Sequence, residues 1–173
     1  AVFNGRDLSG WQTRLAGHEI GWRVIDGLLN NDAAGVPDLV SDATFWNFQL
    51  HVEYRIGKGS NSGVGLRGRY EIQILDDGGR PIDVHSNGAL YSRVVPSKEA
   101  SRAPGEWQQF DIRLVGRTLT VVLNDQKVID HAEVEGLTAI ANNGDEGKPG
   151  PLILQGDHGP VEFRNITLTP LTK

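Results

Sequence analysis

Apolar and polar residues alternate with a period of two along much of this chain, the mark of strands that bury one face. The alternation runs through Phe48–Ile56 and Val64–Ile74. It resumes over Phe110–Leu114 and Thr118–Asn124, with Val115-Gly116-Arg117 as the turn between them, and closes with Val161–Leu168. Asp26-Gly27, Asn87-Gly88 and Asn143-Gly144 are turn dipeptides, whereas Pro96–Glu106 and Thr138–Pro149 read as loops. No amphipathic helix of useful length is evident. About a dozen strands without helices predict an all-β, two-sheet antiparallel sandwich, because one open sheet of that size would leave a face unburied.

Composition sharpens this picture in three ways. The 173 residues fit one domain, and no repeat or linker divides residues 1–173. Glycine supplies 22 of them, well above the usual share of about 7%, which suits many short strands and tight turns. Seventeen Lys and Arg against 22 Asp and Glu leave a net charge of −5, so the chain offers no basic field for nucleic acid. It also lacks the apolar run of a membrane span. Without cysteine there is no thiol chemistry, and the absence of methionine suggests removal of an export signal or excision from a longer polypeptide.

The candidate chemistry lies on the polar half of the alternation. Read as one strand, Val64–Ile74 puts Val64, Leu66, Tyr70, Ile72 and Ile74 on a core face, with Arg67, Arg69, Glu71 and Gln73 opposite. His51, Glu53 and Arg55 repeat that polar row on Phe48–Ile56. A solvated outer face is one reading. Flanking glycines at 57, 59, 63, 65 and 68 favour another, in which backbone or ligand comes close. Gly63-Val-Gly-Leu-Arg-Gly68 matches a dinucleotide-binding string, but no helix follows to receive a pyrophosphate. Leu152–Leu154 reads as a short strand leading to Gln155-Gly-Asp-His-Gly-Pro160, where Asp157-His158 is either an acid/base pair or an ordinary turn. His85 has a similar glycine-flanked setting. The tryptophans at 11, 22, 46 and 107 either stack on sugar rings or pack the core. Glu71-Ile-Gln-Ile-Leu-Asp76 lacks the second glutamate of a β-glucanase strand, and Asp76 could replace it only by joining Glu71 on one face.

These strings together resemble the 3-keto-disaccharide hydrolase family. The matching parts include Phe3-Asn-Gly-Arg-Asp-Leu-Ser-Gly-Trp11, Asn61-Ser-Gly-Val64, Tyr70-Glu-Ile-Gln-Ile74, Gly88-Ala-Leu-Tyr91 and Leu154-Gln-Gly-Asp-His-Gly-Pro160. The resemblance implies a concanavalin A-like jelly roll, exported by bacteria, that acts on oxidised oligosaccharides or glycosides, with a sugar dehydrogenase as pathway partner. A ketone at C3 acidifies the C2 proton, its abstraction expels the C1 substituent by β-elimination, and water adds to the enone. On that chemistry Glu71 or His158 is the base, with Asp157 orienting the histidine, while Arg67 and Arg69 face the enolate. Asn61, Gln73, His85, Tyr91, Gln155 and Glu53 are expected to bind substrate hydroxyls. A divalent metal held by Glu71, Asp157 and the histidines could replace the arginines as electrophile. A carbohydrate-binding module without catalysis is the alternative, and a retaining β-glucanase a weaker one.

Overall fold

The alternating segments form two antiparallel sheets stacked face to face, a jelly-roll sandwich. The computed structural model describes residues 1–172 apart from Ala16, His18, Ala33 and Ala34, and no helix occurs among them. One sheet has five strands in the order β1 (Trp11–Thr13), β4 (Leu39–Ser41), β11 (Ile153–Leu154), β6 (Asn61–Leu66) and β7 (Tyr70–Leu75). The other has seven: β10 (Gln126–Glu133), β9 (Thr118–Leu123), β8 (Gln108–Val115), β5 (Phe48–Ile56), β12 (Val161–Pro170), β3 (Leu28–Asn31) and β2 (Arg23–Ile25).

The core lies between the sheets. Phe48, Leu50, Val52 and Tyr54 from β5, with Phe110, Ile112 and Leu114 from β8, meet Val64 and Leu66 from β6 and Ile72 and Ile74 from β7. All eleven are fully buried, so the apolar half of each alternation does what the pattern requires. On β5 the intervening residues are half-buried and polar, as on a sheet with one wet face. β6 and β7 differ, being buried on both faces apart from their outermost residues. A solvated outer face is therefore not what these two strands present.

The segment Val64–Ile74 is not one strand. It is a hairpin whose connection is Arg67-Gly68-Arg69, with Leu66 paired to Tyr70. Arg67 and Gly68 both adopt left-handed backbone (φ 52° and 64°), and the Arg69 amide donates to the Leu66 carbonyl at 3.0 Å. A three-residue connection keeps even-numbered residues on the same face in both strands, so period two passes through the turn unbroken. Alternation therefore could not reveal it. β7 gains a further neighbour from Gly88–Tyr91, through the Gln73 amide to the Ala89 carbonyl (3.0 Å) and the Tyr91 amide to the Glu71 carbonyl (2.9 Å).

Candidate active site

The outer face of the five-stranded sheet can be built rung by rung from the register. Val40, Ile153, Gly65 and Glu71 lie across β4, β11, β6 and β7. Two residues further along, Asp38, Gln155, Gly63 and Gln73 form the next rung on the same face. Glycine at 63 leaves a notch, and the Glu71 side chain lies in it. A Cβ at Gly63 would stand 2.5 Å from Glu71 Oε1 and 2.9 Å from Cδ and Cγ. The glycine row thus provides close approach, but the approaching group is a carboxyl of the protein itself.

That carboxyl is only 2% exposed. With its amide nitrogen turned inward, Gln155 donates to Glu71 Oε1 at 3.3 Å and to the Ser62 carbonyl at 3.1 Å. Burial raises the Glu71 pKa from 4.5 to about 7, the charge of Asp38 pushes the same way, and His158 opposes them. A carboxyl half-protonated near neutrality is suited to proton transfer.

Its neighbours Asp38, Gln155 and His158, though not Glu71 itself, line a cavity of about 350 Å³, with Arg14, Leu15 and Gly35–Asp38 on one side. Ala139, Ile140 and Gln155–His158 complete the wall. Arg14 ties these walls together, donating to Asp38 Oδ2 (3.2 Å), the Ile140 carbonyl (2.9 Å) and the Ala141 carbonyl (2.7 Å). Asp38 Oδ1 in turn accepts from the Gly156 amide at 2.9 Å. His158 Nδ1 is 2.7 Å from the Gly156 carbonyl, which can only accept, so the proton is on Nδ1. Nε2 then carries the free lone pair.

Several expected site residues stand elsewhere. Asp157 does not orient His158. Its left-handed backbone (φ 61°) turns the carboxylate to the Gly35 amide, and the Gly156 carbonyl holds the histidine instead. Arg67 and Arg69 do not face the site, because the turn carries them off the β7 face. Arg67 lies over the Trp46 ring at 3.9 Å and donates to the carbonyls of Trp46 and Gly116, both at 2.7 Å. Arg69 donates to Asn143 Oδ1 (3.1 Å) and the Lys148 carbonyl (2.6 Å). Both are 1% exposed and act as anchors. Glu53 belongs to the other sheet, bonded to His51 (2.8 Å), Arg164 (2.8 Å) and Asn165 (3.0 Å).

His85 and Tyr91 pair edge-to-face at 5.0 Å on the turn beside β7, where the His85 carbonyl accepts from Gln73 Nε2 at 3.2 Å. They do not line the cavity. Gln73 Oε1 and Asn61 Oδ1 are buried acceptors without a partner among the described residues, on the face that holds Glu71. Asp76 caps the Gly59 amide at 2.8 Å and does not join Glu71, so the carboxylate pair expected of a retaining glucanase on this strand does not form. Among the described residues no three His, Asp or Glu side chains converge to hold a metal ion. Of the ligand set expected for a divalent cation, Asp157 is turned to the Gly35 amide and His158 offers only Nε2. Asp38 and Arg14 had no signal in the sequence; only the pairing of β4 with β11 brings Asp38 beside Gln155.

Comparison with known proteins bears on this site. The sequence model for the 3-keto-alpha-glucoside-1,2-lyase-like domain matches residues 1–169. The 3-keto-disaccharide hydrolase of Bacteroides thetaiotaomicron is 21% identical over 168 residues, covering 75% of this chain and 57% of that protein. The chain thus spans little more than half the length of this curated relative. A crystal structure of a candidate glycosyl hydrolase from Parabacteroides distasonis superposes with a TM-score of 0.84 at 32% identity, covering 98% of this chain and 82% of that one. The carbohydrate-binding module CBM66 from Bacillus subtilis shares the fold at 16% identity, with a TM-score of 0.61 over 93% and 96% of the two chains.

Proposed function

The chain belongs to the 3-keto-alpha-glucoside-1,2-lyase-like domain family, and from that premise we propose that its cavity breaks the C1–O bond of 3-keto glycosides by elimination followed by hydration. The observation that carries this reading is a buried carboxyl with a pKa near 7, held in the Gly63 notch within electrostatic reach of Asp38 and His158, while Asp76 is turned away to the Gly59 amide.

His158 Nε2 is the base that takes the C2 proton, since it carries the lone pair at the cavity wall. The electrons move toward the C3 oxygen, and the Arg14 guanidinium is the cation that faces the growing enolate in place of the turn arginines. The enolate then expels the C1 substituent, forming a double bond between C1 and C2. Glu71 is coupled to this step. Its pKa falls when His158 is charged, so it releases its proton as the imidazolium forms, supplying the acid that the departing oxygen requires. Addition of water across the enone completes a net hydrolysis. The ketone must come from an oxidoreductase acting on the free glycoside, a sugar dehydrogenase by chemical class. Export to the compartment of such substrates is part of the same proposal.

The test is incubation with 3-keto-trehalose and a 3-keto-glucoside beside their unoxidised parents. Only the oxidised sugars should be consumed, and His158→Gln should slow the reaction by at least about 100-fold. Cleavage of the parents without cleavage of the oxidised sugars would overturn the proposal.

A further inference from the structure

The cavity has two chemically different ends. Asp38, Gln155 and His158 gather at the end above Glu71, where hydroxyls and the reacting carbons find partners. Leu15, Val36, Pro37, Ala139 and Ile140 supply an apolar part of the lining, beside Arg14, the glycines Gly35 and Gly156, and Asp157, whose carboxylate is bonded to the Gly35 amide. Leu15 is 50% exposed, one of only four large apolar side chains left in solvent among the described residues. It stands at this cavity, whereas Ile25, Ile82 and Val95 do not line it. Ile140 is backed by Val40 and Ile153 in a small apolar cluster outside the main core, so this wall is firm.

A second sugar ring would meet poor company here. Sugars are held by aromatic platforms and by rows of hydrogen-bonding groups, and no tryptophan reaches this cavity. Trp11 and Trp22 are core residues, Trp46 lies under Arg67, and Trp107 is stacked by Arg55 and Arg164. A volume of about 350 Å³ is at the small end of ligand sites, enough for one ring on the polar groups and a compact group beside it.

We infer that the Leu15 end is a leaving-group subsite for an aromatic aglycone, so that the preferred substrate is an oxidised aryl glycoside. The guanidinium of Arg14, fixed by its bonds to Asp38, Ile140 and Ala141, adds a planar cation against which an aromatic ring can stack. The inference rests on the proposed function for its chemistry, but the apolar wall is independent of the reaction.

The experiment compares wild type with Leu15→Asp on the 3-keto forms of phenyl and methyl glucoside. Phenol is the better leaving group in either enzyme, so the informative quantity is the change caused by the substitution. We expect kcat/KM for the phenyl substrate to fall about tenfold, while that for the methyl substrate stays within twofold. Equal changes on both substrates would overturn the subsite. In parallel, calorimetry follows binding of unoxidised phenyl and methyl glucoside, neither of which needs to react. Wild type should prefer the phenyl compound by about tenfold, and Leu15→Asp should lose that preference. If wild type turned over neither oxidised sugar yet kept the binding preference, the proposed function would fail and the apolar subsite would stand. No preference in binding would overturn the subsite whatever the kinetics.

Discussion

Replacing Glu71 by Gln should make the protein more resistant to alkali at the same time as it removes activity. The folded state keeps the Glu71 proton up to about pH 7, whereas an unstructured glutamate releases it near 4.5. Between those values the folded state binds more protons than the unfolded one, so stability declines as pH rises and the full loss is present above the folded pKa. The shift from 4.5 to about 7 corresponds to about 3 kcal/mol, of which about 2.5 kcal/mol falls between pH 5 and pH 8. Glutamine has nearly the same shape and does not titrate. Its amide brings its own cost beside Gln155, but that cost is the same at both pH values and cancels when the two slopes are compared. The assay is urea unfolding of wild type and Glu71→Gln at pH 5 and pH 8. Wild type should lose about 2.5 kcal/mol more than the variant over that interval, equivalent to about 5 to 10 °C in Tm for a domain of this size. All other titrating groups are common to both proteins. Parallel pH profiles would refute the buried, near-neutral carboxyl and with it the acid role assigned to Glu71.

Gly63→Ala should leave a folded protein with activity reduced at least about 100-fold, because the new methyl occupies the space of the Glu71 carboxyl; circular dichroism beside the activity assay separates the two effects. Arg67→Met should cost about 3 kcal/mol, since it removes a buried guanidinium and leaves the half-buried carbonyls of Trp46 and Gly116 without their donor, and should leave KM unchanged in the molecules that remain folded. A loss of kcat without loss of stability would return Arg67 to the site. Burial alone would depress the His51 pKa, but the hydrogen bonds to Glu53 and Asp111 outweigh it and raise the value. The stabilisation from protonated His51 is therefore full below the ordinary histidine range and disappears as pH rises through the folded pKa. His51→Gln should flatten that part of the stability profile, measured by thermal melts between pH 5 and pH 8.

The fold class was legible in the sequence because alternation directly records which half of each strand leaves water. Phe48–Ile56 has the same bounds in both readings, and Phe110–Leu114, Thr118–Asn124 and Val161–Leu168 fall on β8, β9 and β12 with shifts of a few residues. Glu71, Gln155 and His158 were also readable as candidates, from polar residues set among glycines. The hairpin at Arg67–Arg69 was not, because an odd-length connection preserves the parity of the pattern while reversing the chain. That reversal removes both arginines from the site and makes them anchors. Adjacency in sequence likewise misplaced Asp157, whose left-handed backbone aims it away from its neighbour. The partnership of Glu71 with Asp38, Gln155 and His158, by contrast, arises only when the sheet assembles. These groups come from three segments far apart in sequence, and no local pattern encodes which strands will lie side by side. Registering β4, β11, β6 and β7 against one another brings their polar residues onto one face, and burial there turns an ordinary carboxylate into a group that exchanges its proton near neutral pH.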